Sequence, residues 1–176
     1  MAKRIPRLVT CIVGTGVMVV GSVMTGVATD RVNYAGKYSL QERKTASGTQ
    51  VDSTIEVVQS EDRVEVTRVE QGKKTTNVYP SNGSEGSYAS PRGVPGKCKA
   101  EFKGKYLVLE STVVVRPQAS APPVRIHTKE RWQLSPDSKI LTVKFELDFP
   151  DAPREVSVVL GDYGSGTEKY ARVENP

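Results

Sequence analysis

The residues of this chain that could do chemistry are polar side chains that share a strand face with apolar ones. Four of them alternate in phase with hydrophobic neighbours: Glu42, Thr128, Glu130 and Arg154. A buried charge without a partner is costly, so each must pair, bind a polar group of a ligand, or lie at a strand end in water. Two interpretations stay open. The four residues lie at solvated strand ends, or they form a pocket mouth in which Glu130 or Glu42 meets Arg154 or a ligand.

The side chains of common catalytic and metal sites are scarce in this sequence. There is one histidine, His127, and it alternates with charged residues on a strand face that we expect to be wet. A serine or cysteine triad needs an oriented, partly buried histidine. The sequence also has no nucleophile elbow, no phosphate-binding glycine loop and no Cys/His spacing typical of zinc. We therefore expect a non-catalytic protein with no metal and no cofactor. A pair of inward carboxylates is the remaining enzymatic alternative.

The stretch "ERWQLSPDSKILTVKFEL", residues 130–147, predicts a β-hairpin. Apolar and polar residues alternate on both sides of a short segment rich in turn formers, Pro136 and Asp137 among them. The strands are predicted over 124–134 and 140–149. Their inward residues are expected to include Thr128, Glu130 and Trp132 on the first strand and, on the second, Phe145 and Phe149.

Period-two alternation bounded by Gly, Ser, Asp and Pro predicts further strands along the chain. They are expected at 36–44, 53–59, 63–70, 72–80, 97–103, 105–117 and 154–161. Segments 80–96 and 118–123 are predicted to be loops that could control access to an interior. Short connections join antiparallel neighbours, and an apolar sheet face must close or fold over to be buried. The prediction is an all-β, antiparallel, up-and-down barrel of eight or nine strands, although a sandwich would show the same alternation.

The first 28 residues are predicted to lie outside this domain, which spans 29–176. Three cations precede an uncharged run over 8–28, which ends in small residues. A basic start, an apolar middle and a small-x-small end are typical of a secretory signal peptide. The alternative is a retained membrane-anchor helix, the only membrane contact we expect. Both readings place the domain outside the cytoplasm, as a secreted or periplasmic protein.

Net charge and cysteine content indicate which partners and which covalent links to expect. Without residues 1–28 the chain has 22 Lys and Arg against 20 Asp and Glu, which gives no reason to expect nucleic acid as a partner. The same segment contains Cys11, so only Cys98 remains and no internal disulfide is possible. Cys98 alternates with apolar residues and is expected to be a buried, unreactive thiol. The sequence does not define an oligomeric state.

Two stretches resemble a known family. "YAGKYSLQ" resembles the Gly-x-Trp entry of lipocalin-like barrels, with Tyr38 in the place of Trp. "KERWQLSPDSKILTV" resembles the Trp-x-Leu-Ser-x-Asp-Gly-Lys-x-Leu-Thr hairpin of small exported bacterial proteins of lipocalin-like type, most of them uncharacterised, with Ser138 in the place of Gly. The similarity covers about residues 34–160. It implies an eight-stranded barrel with a small apolar ligand inside, and it implies no catalytic residues.

The leading functional hypothesis is an exported, non-catalytic barrel that binds a small hydrophobic molecule in its interior. The predicted pocket residues are Tyr38, Glu42, Leu109, Thr128, Glu130, Trp132, Phe145, Phe149 and Arg154. An eight-stranded barrel is just wide enough either to be filled by its own side chains or to hold one small ligand. The alternative is therefore a structural or protein-interaction module of the cell envelope with a filled core.

Overall fold

The computed structural model of the protein describes residues 31–45, 51–116, 122–152 and 164–174. These residues form ten β-strands: β1 (Gly36–Thr45), β2 (Ser53–Gln59), β3 (Arg63–Glu70), β4 (Lys73–Pro80), β5 (Gly86–Ala89), β6 (Pro95–Lys103), β7 (Tyr106–Val115), β8 (Val124–Leu134), β9 (Ile140–Asp148) and β10 (Gly166–Arg172). All belong to one antiparallel sheet in the order β4-β3-β2-β1-β10-β9-β8-β7-β6-β5. The sheet is a nearly closed barrel, which excludes the sandwich.

The predicted strand count of eight or nine is too low. Strand β5 lies inside 80–96, which was expected to be an irregular loop, because a four-residue strand is too short to show periodicity. Strand β10 lies in the tail, where the glycines around residue 164 suggested irregular chain. The strand predicted over 154–161 falls outside the described residues, as do residues 1–28 and with them the predicted leader and domain boundary.

The edges of the sheet, β4 and β5, are joined by side chains. The Asn77 amide donates to the Ala89 carbonyl at 3.0 Å and accepts from the Ala89 N–H at 2.8 Å. The Cys98 thiol adds a bond to the Val78 carbonyl at 3.3 Å. A side-chain amide has the same donor and acceptor groups as a peptide unit, so the Asn77 side chain replaces one pair of hydrogen bonds of a regular strand ladder. These contacts hold the two edges together without a regular ladder.

One half of the barrel is filled by its own side chains. Its largest fully buried residues are Trp132, Tyr34, Tyr38, Tyr170, Ile55, Leu107, Leu109 and Leu141. At the strand ends on this side, segment 31–35 crosses the barrel. The Tyr34 hydroxyl lies 2.8 Å from the Lys105 carbonyl and 3.0 Å from the Trp132 carbonyl, and it accepts from the Leu107 N–H at 3.2 Å. This half, filled by buried side chains, is called the closed half below.

A β-bulge in β1 changes which residues face the interior. Leu40 is opposite Tyr170 and Glu42 is opposite Lys169, so Gln41 is an extra residue in the strand. A bulge reverses the alternation that follows it, and here it turns Arg43 inward and Glu42 outward. The prediction that Glu42 faces a pocket is therefore wrong.

The Glu42 carboxylate lies on the outer surface. It contacts the ammonium groups of Lys169 at 2.8 Å and Lys44 at 2.9 Å. Hydrogen bonds from Lys169 and then Lys44 lower the pKa of Glu42 to about 2. Glu42 is thus an ionised surface residue with two cationic partners.

Candidate functional site

The second half of the barrel, called the open half below, contains a cavity with two lobes. The first lobe, of about 440 Å³, extends toward β4 and is lined by Thr75, Asn77 and Tyr79 among others. The second, of about 350 Å³, extends toward β9 and β10. Five residues line both lobes: Arg68, Glu70, Tyr88, Pro91 and Glu130. Pockets for small molecules commonly have volumes of about 300–1,000 Å³, so each lobe alone is large enough for one.

Arg68 and Glu130 form the ion pair at the centre of this cavity. The Arg68 guanidinium donates to Glu130 Oε2, and Trp132 Nε1 donates to the same oxygen at 2.8 Å. The guanidinium also lies over the Trp132 ring, 5.6 Å from its centroid. Burial alone would lower the pKa of Arg68, but the negative charge of Glu130 outweighs it and holds that pKa above its ordinary range. The Arg68 guanidinium therefore stays charged, and the pair lies against Trp132 of the closed half of the barrel.

Arg43 holds two further carboxylates on the wall of the second lobe. Its Nη1 lies 2.8 Å from Glu70 Oε1, and its Nε lies 2.7 Å from Glu168 Oε1 without the direction of a hydrogen bond. The second oxygen of Glu168 accepts from the Tyr170 hydroxyl at 2.6 Å. Burial opposes the charge of Arg43, but its two anionic partners hold the pKa above its ordinary range. Charged groups therefore form much of the interior of this barrel.

The second lobe is lined by apolar as well as charged side chains. Phe145 and Leu147 lie on β9, where Phe145 is in register with Glu130 of β8 and Leu147 with Thr128. Val51, just before β2, is a third apolar lining residue. The lining of the cavity is amphipathic, with charged groups next to apolar ones.

Two tyrosines cover the first lobe. Tyr79 and Tyr88 contact each other edge to face, with ring centroids 6.3 Å apart and planes at 61°. Burial raises the pKa of both phenols, most strongly that of Tyr79. Both hydroxyls are therefore protonated at neutral pH and can act as hydrogen-bond donors.

The predicted pocket residues separate into five groups. Thr128, Glu130 and Phe145 line the cavity. Tyr38, Leu109 and Trp132 are fully buried in the closed half and are packing residues, although Trp132 touches the cavity network through its indole N–H. Phe149 is half-buried just beyond the end of β9, and it does not line either lobe. Glu42 lies outside the barrel, and Arg154 is outside the described residues.

Several cavity residues escaped the sequence analysis. Arg68 and Glu70 continue the phase of Val64 and Val66 on β3, and this signal was present in the sequence. The inward position of Arg43 could not be predicted, because the bulge in β1 reverses the alternation before it. Glu168, and with it the Tyr170 hydroxyl that donates to it, was missed because the tail was not predicted to be a strand.

Other predicted features have clear positions in the structure. Cys98 is buried between β5 and β7, and burial raises the pKa of its thiol to about 11, so it is protonated and unreactive at neutral pH, as expected. His127 lies on the outer face, in register with Thr112 and Asp148. Within the described ranges no group of His, Cys, Asp and Glu side chains is arranged to hold a metal ion. None of the described segments contains a helix with the length and apolar character needed to cross a bilayer.

The fold is that of the fatty-acid-binding proteins, which are lipocalin-like β-barrels. A fatty acid transporter designated REP1-NXSQ has a TM-score of 0.53 and 14% identity, over 81% of this chain and 97% of its own. A zebrafish ileal bile acid-binding protein complexed with cholic acid has a TM-score of 0.54 and 14% identity, over 80% and 98%. A Schistosoma mansoni fatty acid binding protein in complex with arachidonic acid has a TM-score of 0.52 and 15% identity, over 80% and 96%.

These likenesses concern the fold alone, because identity is so low. No protein-family model matches the sequence, and no curated protein matches it either. The lipocalin-like architecture expected from the sequence is confirmed, with ten strands in the described residues in place of the eight or nine predicted.

Proposed function

We propose that this protein is a non-catalytic carrier that binds one small amphipathic molecule in the open half of its barrel. The observation that carries the proposal is the two-lobed cavity above a filled closed half. In this arrangement the apolar part of the ligand lies against Phe145 and Leu147. Its polar end meets the charged groups of Arg68 and Glu130.

Three of the structural neighbours support this proposal by what their names state. They are a fatty acid transporter, a bile acid-binding protein complexed with cholic acid and a fatty acid binding protein in complex with arachidonic acid. None of these names describes an enzyme. A barrel of this fold with an amphipathic cavity is therefore best suited to binding.

A neutral fluorescent probe tests the proposal directly. N-phenyl-1-naphthylamine becomes bright in apolar surroundings, so we expect saturable enhancement with the full chain. Thr128→Trp places a large side chain in the second lobe and should abolish the enhancement. Thr76→Trp makes the same change on the exposed outer face of β4 and should leave it intact.

Two results would contradict the carrier function. One is equal enhancement in the Thr128→Trp and Thr76→Trp variants when both show the thermal transition of the wild type. The other is the absence of saturable binding to the wild type. The second result would favour a structural or interaction module of the cell envelope, in which the outer face and loops carry the function.

We also propose that the domain acts outside the cytoplasm, on the basis of the basic and apolar character of residues 1–28. Mass spectrometry of the protein from a cell-envelope or secreted fraction tests this. A mass that lacks about residues 1–28 supports secretion after cleavage. A full-length mass in a membrane fraction supports an anchor, and a cytoplasmic location would contradict both.

A further inference from the structure

The Tyr79 hydroxyl is a hydrogen-bond donor without a partner among the described residues. Tyr79 is 3% exposed and lines the first lobe of the cavity. No side-chain or backbone group of the described residues bonds to its hydroxyl, and protein atoms do not fully enclose the oxygen, which therefore opens on the cavity. Buried polar groups in folded proteins are nearly always hydrogen-bonded. A donor left free on a cavity wall therefore points to a partner that enters the cavity.

The position of this hydroxyl is fixed by the packing of the Tyr79 ring. Tyr79 is opposite the fully buried Val64 in the ladder of β3 and β4, so its side chain faces the interior. Tyr88 contacts the ring edge to face, with centroids 6.3 Å apart. A tyrosine has only two side-chain torsions, so a ring held in this way loses little conformational entropy when its hydroxyl binds a ligand. Burial raises the pKa of Tyr79 well above its ordinary value, so the hydroxyl carries its proton at neutral pH.

The charged groups of the described lining already balance one another. They are three cations and three carboxylates: Arg43, Arg68, Lys73, Glu70, Glu130 and Glu168. Arg68 donates to Glu130, and Arg43 contacts two carboxylates. A charged ligand end would separate one of these pairs or add an uncompensated charge beside them, and both are costly in a buried site. An uncharged end leaves every pair intact and still satisfies the free hydroxyl.

We propose that the ligand of this protein has an uncharged polar end whose oxygen accepts a hydrogen bond from the Tyr79 hydroxyl, with its apolar chain in the second lobe. Hydroxyl and carbonyl oxygens are acceptors of this kind. The inference deepens the proposed carrier function and rests on it. It separates this barrel from the fatty-acid and bile-acid binders whose fold it shares, because those names describe acidic ligands.

Displacement of N-phenyl-1-naphthylamine by three ligands of equal chain length tests this inference. Decanol, decanoate and decylamine differ at their polar end, which is uncharged, anionic and cationic at pH 7. We expect decanol to displace the probe from the full chain with an affinity at least about tenfold higher than that of either charged ligand, since burying an uncompensated charge costs more than that factor.

A variant that lacks one oxygen shows whether Tyr79 is responsible. Tyr79→Phe keeps the ring against Tyr88, so decanol should lose about threefold to tenfold in affinity, the value of one hydrogen bond between uncharged groups. Its thermal transition should stay at or above that of the wild type, because the deleted hydroxyl has no partner among the described residues. Tyr106→Phe deletes the same group beneath Arg131 on the outer face and should leave the affinity for decanol unchanged.

The possible results are distinct. A charged ligand that displaces the probe as well as decanol does, or decanol that fails to displace it, would overturn the inference and leave the carrier function standing. Equal affinity for decanol in Tyr79→Phe and Tyr106→Phe would remove Tyr79 from the site and also overturn it. A Tyr79→Phe variant that melts below the wild type would mean that the fold itself uses the hydroxyl, with the same consequence. The absence of saturable probe binding to the wild type would overturn the carrier function itself.

Discussion

Removing the Tyr34 hydroxyl should weaken the fold because that one group joins three backbone sites at the closed end. It lies within hydrogen-bond distance of the carbonyls of Lys105 and Trp132 and accepts the N–H of Leu107. Tyr34→Phe keeps the buried ring and deletes only the oxygen. The lost hydrogen bonding costs about 1 kcal/mol, and the N–H left without a partner costs about 1–3 kcal/mol more. We expect a loss of about 2–4 kcal/mol in the free energy of unfolding at pH 7.

The same hydroxyl should also make stability depend on alkaline pH. Burial raises the pKa of Tyr34 from its ordinary value of 10.0 to about 12. The unfolded phenol ionises from pH 10 upward while the folded one stays protonated. The contribution of this group is therefore fully present below pH 10 and is lost between pH 10 and pH 12. One pKa unit corresponds to about 1.4 kcal/mol. Between pH 9 and pH 11 the free energy of unfolding of the wild type should therefore fall by about 1.4 kcal/mol more than that of Tyr34→Phe.

Urea denaturation followed by tryptophan fluorescence measures both effects, because Trp132 is the single tryptophan. Tyr106→Phe is the matched control, since Tyr106 is half-buried on the outer face beneath Arg131. The control should stay within about 0.5 kcal/mol of wild type. Our reasoning would be refuted by a Tyr34→Phe variant as stable as wild type at pH 7. A stability difference that is the same at pH 9 and pH 11 would refute its pH part.

Three further changes have expected outcomes in urea denaturation. Arg68→Met should lower the free energy of unfolding by about 2–3 kcal/mol, because Glu130 loses its counterion. The double variant Arg68→Met with Glu130→Gln should be less destabilised, by at least about 1 kcal/mol, than the sum of the losses of the two single variants. Ser138→Gly should stabilise the fold by about 0.5–1 kcal/mol, because Ser138 has φ of 57°. The relief of that backbone strain exceeds the entropic cost of ordering the more flexible glycine on folding. Asn77→Ala should destabilise by about 1–2 kcal/mol through its two lost bonds to Ala89, and it should speed amide hydrogen exchange in β5.

Each of these has a result that would count against it. Additive losses for Arg68→Met and Glu130→Gln would mean that the ion pair contributes nothing as a pair. A Ser138→Gly variant less stable than wild type would mean that the serine side chain stabilises the turn. Unchanged exchange in β5 after Asn77→Ala would mean that the Asn77 amide does not hold the two sheet edges together.

The strands and their inward faces could be predicted from the sequence wherever alternation is long and uninterrupted. The hairpin of β8 and β9 is the clearest case, because Glu130 and Trp132 face inward as expected and β8 has the predicted bounds. The strand over 166–172 was not predicted, because its inward residues include Glu168 and a charged residue on the inner face interrupts the apolar alternation. Alternation reports burial only where the buried residue is hydrophobic.

The candidate site was harder to predict than the fold because it depends on pairings between distant strands. Glu130 or Glu42 was expected to meet Arg154 or a ligand. Arg154 lies outside the described residues, and Glu130 pairs with Arg68 on β3. A single-residue bulge put Arg43 on the inner face in place of Glu42. The interior proved to be charged, and no periodicity tells which charges will meet across a barrel. The expectation of an apolar pocket followed from counting inward apolar residues, most of which fill the closed half.

The pairing of β1 with β10 has a consequence for how the chain could be reconnected. Every other neighbouring pair in the sheet joins strands that are consecutive in sequence, whereas β1 and β10 meet from opposite ends of the domain. Their outer ends are adjacent, since the Val173 N–H donates to the Lys37 carbonyl at 2.8 Å. In a circular permutant opened between β4 and β5 and joined near Val173, every strand ladder would join consecutive strands, while the side-chain contacts between β4 and β5 would join the two chain ends. The entropic cost of closing the loop of the longest-range ladder would then fall, and the permuted barrel should fold faster than the natural connectivity.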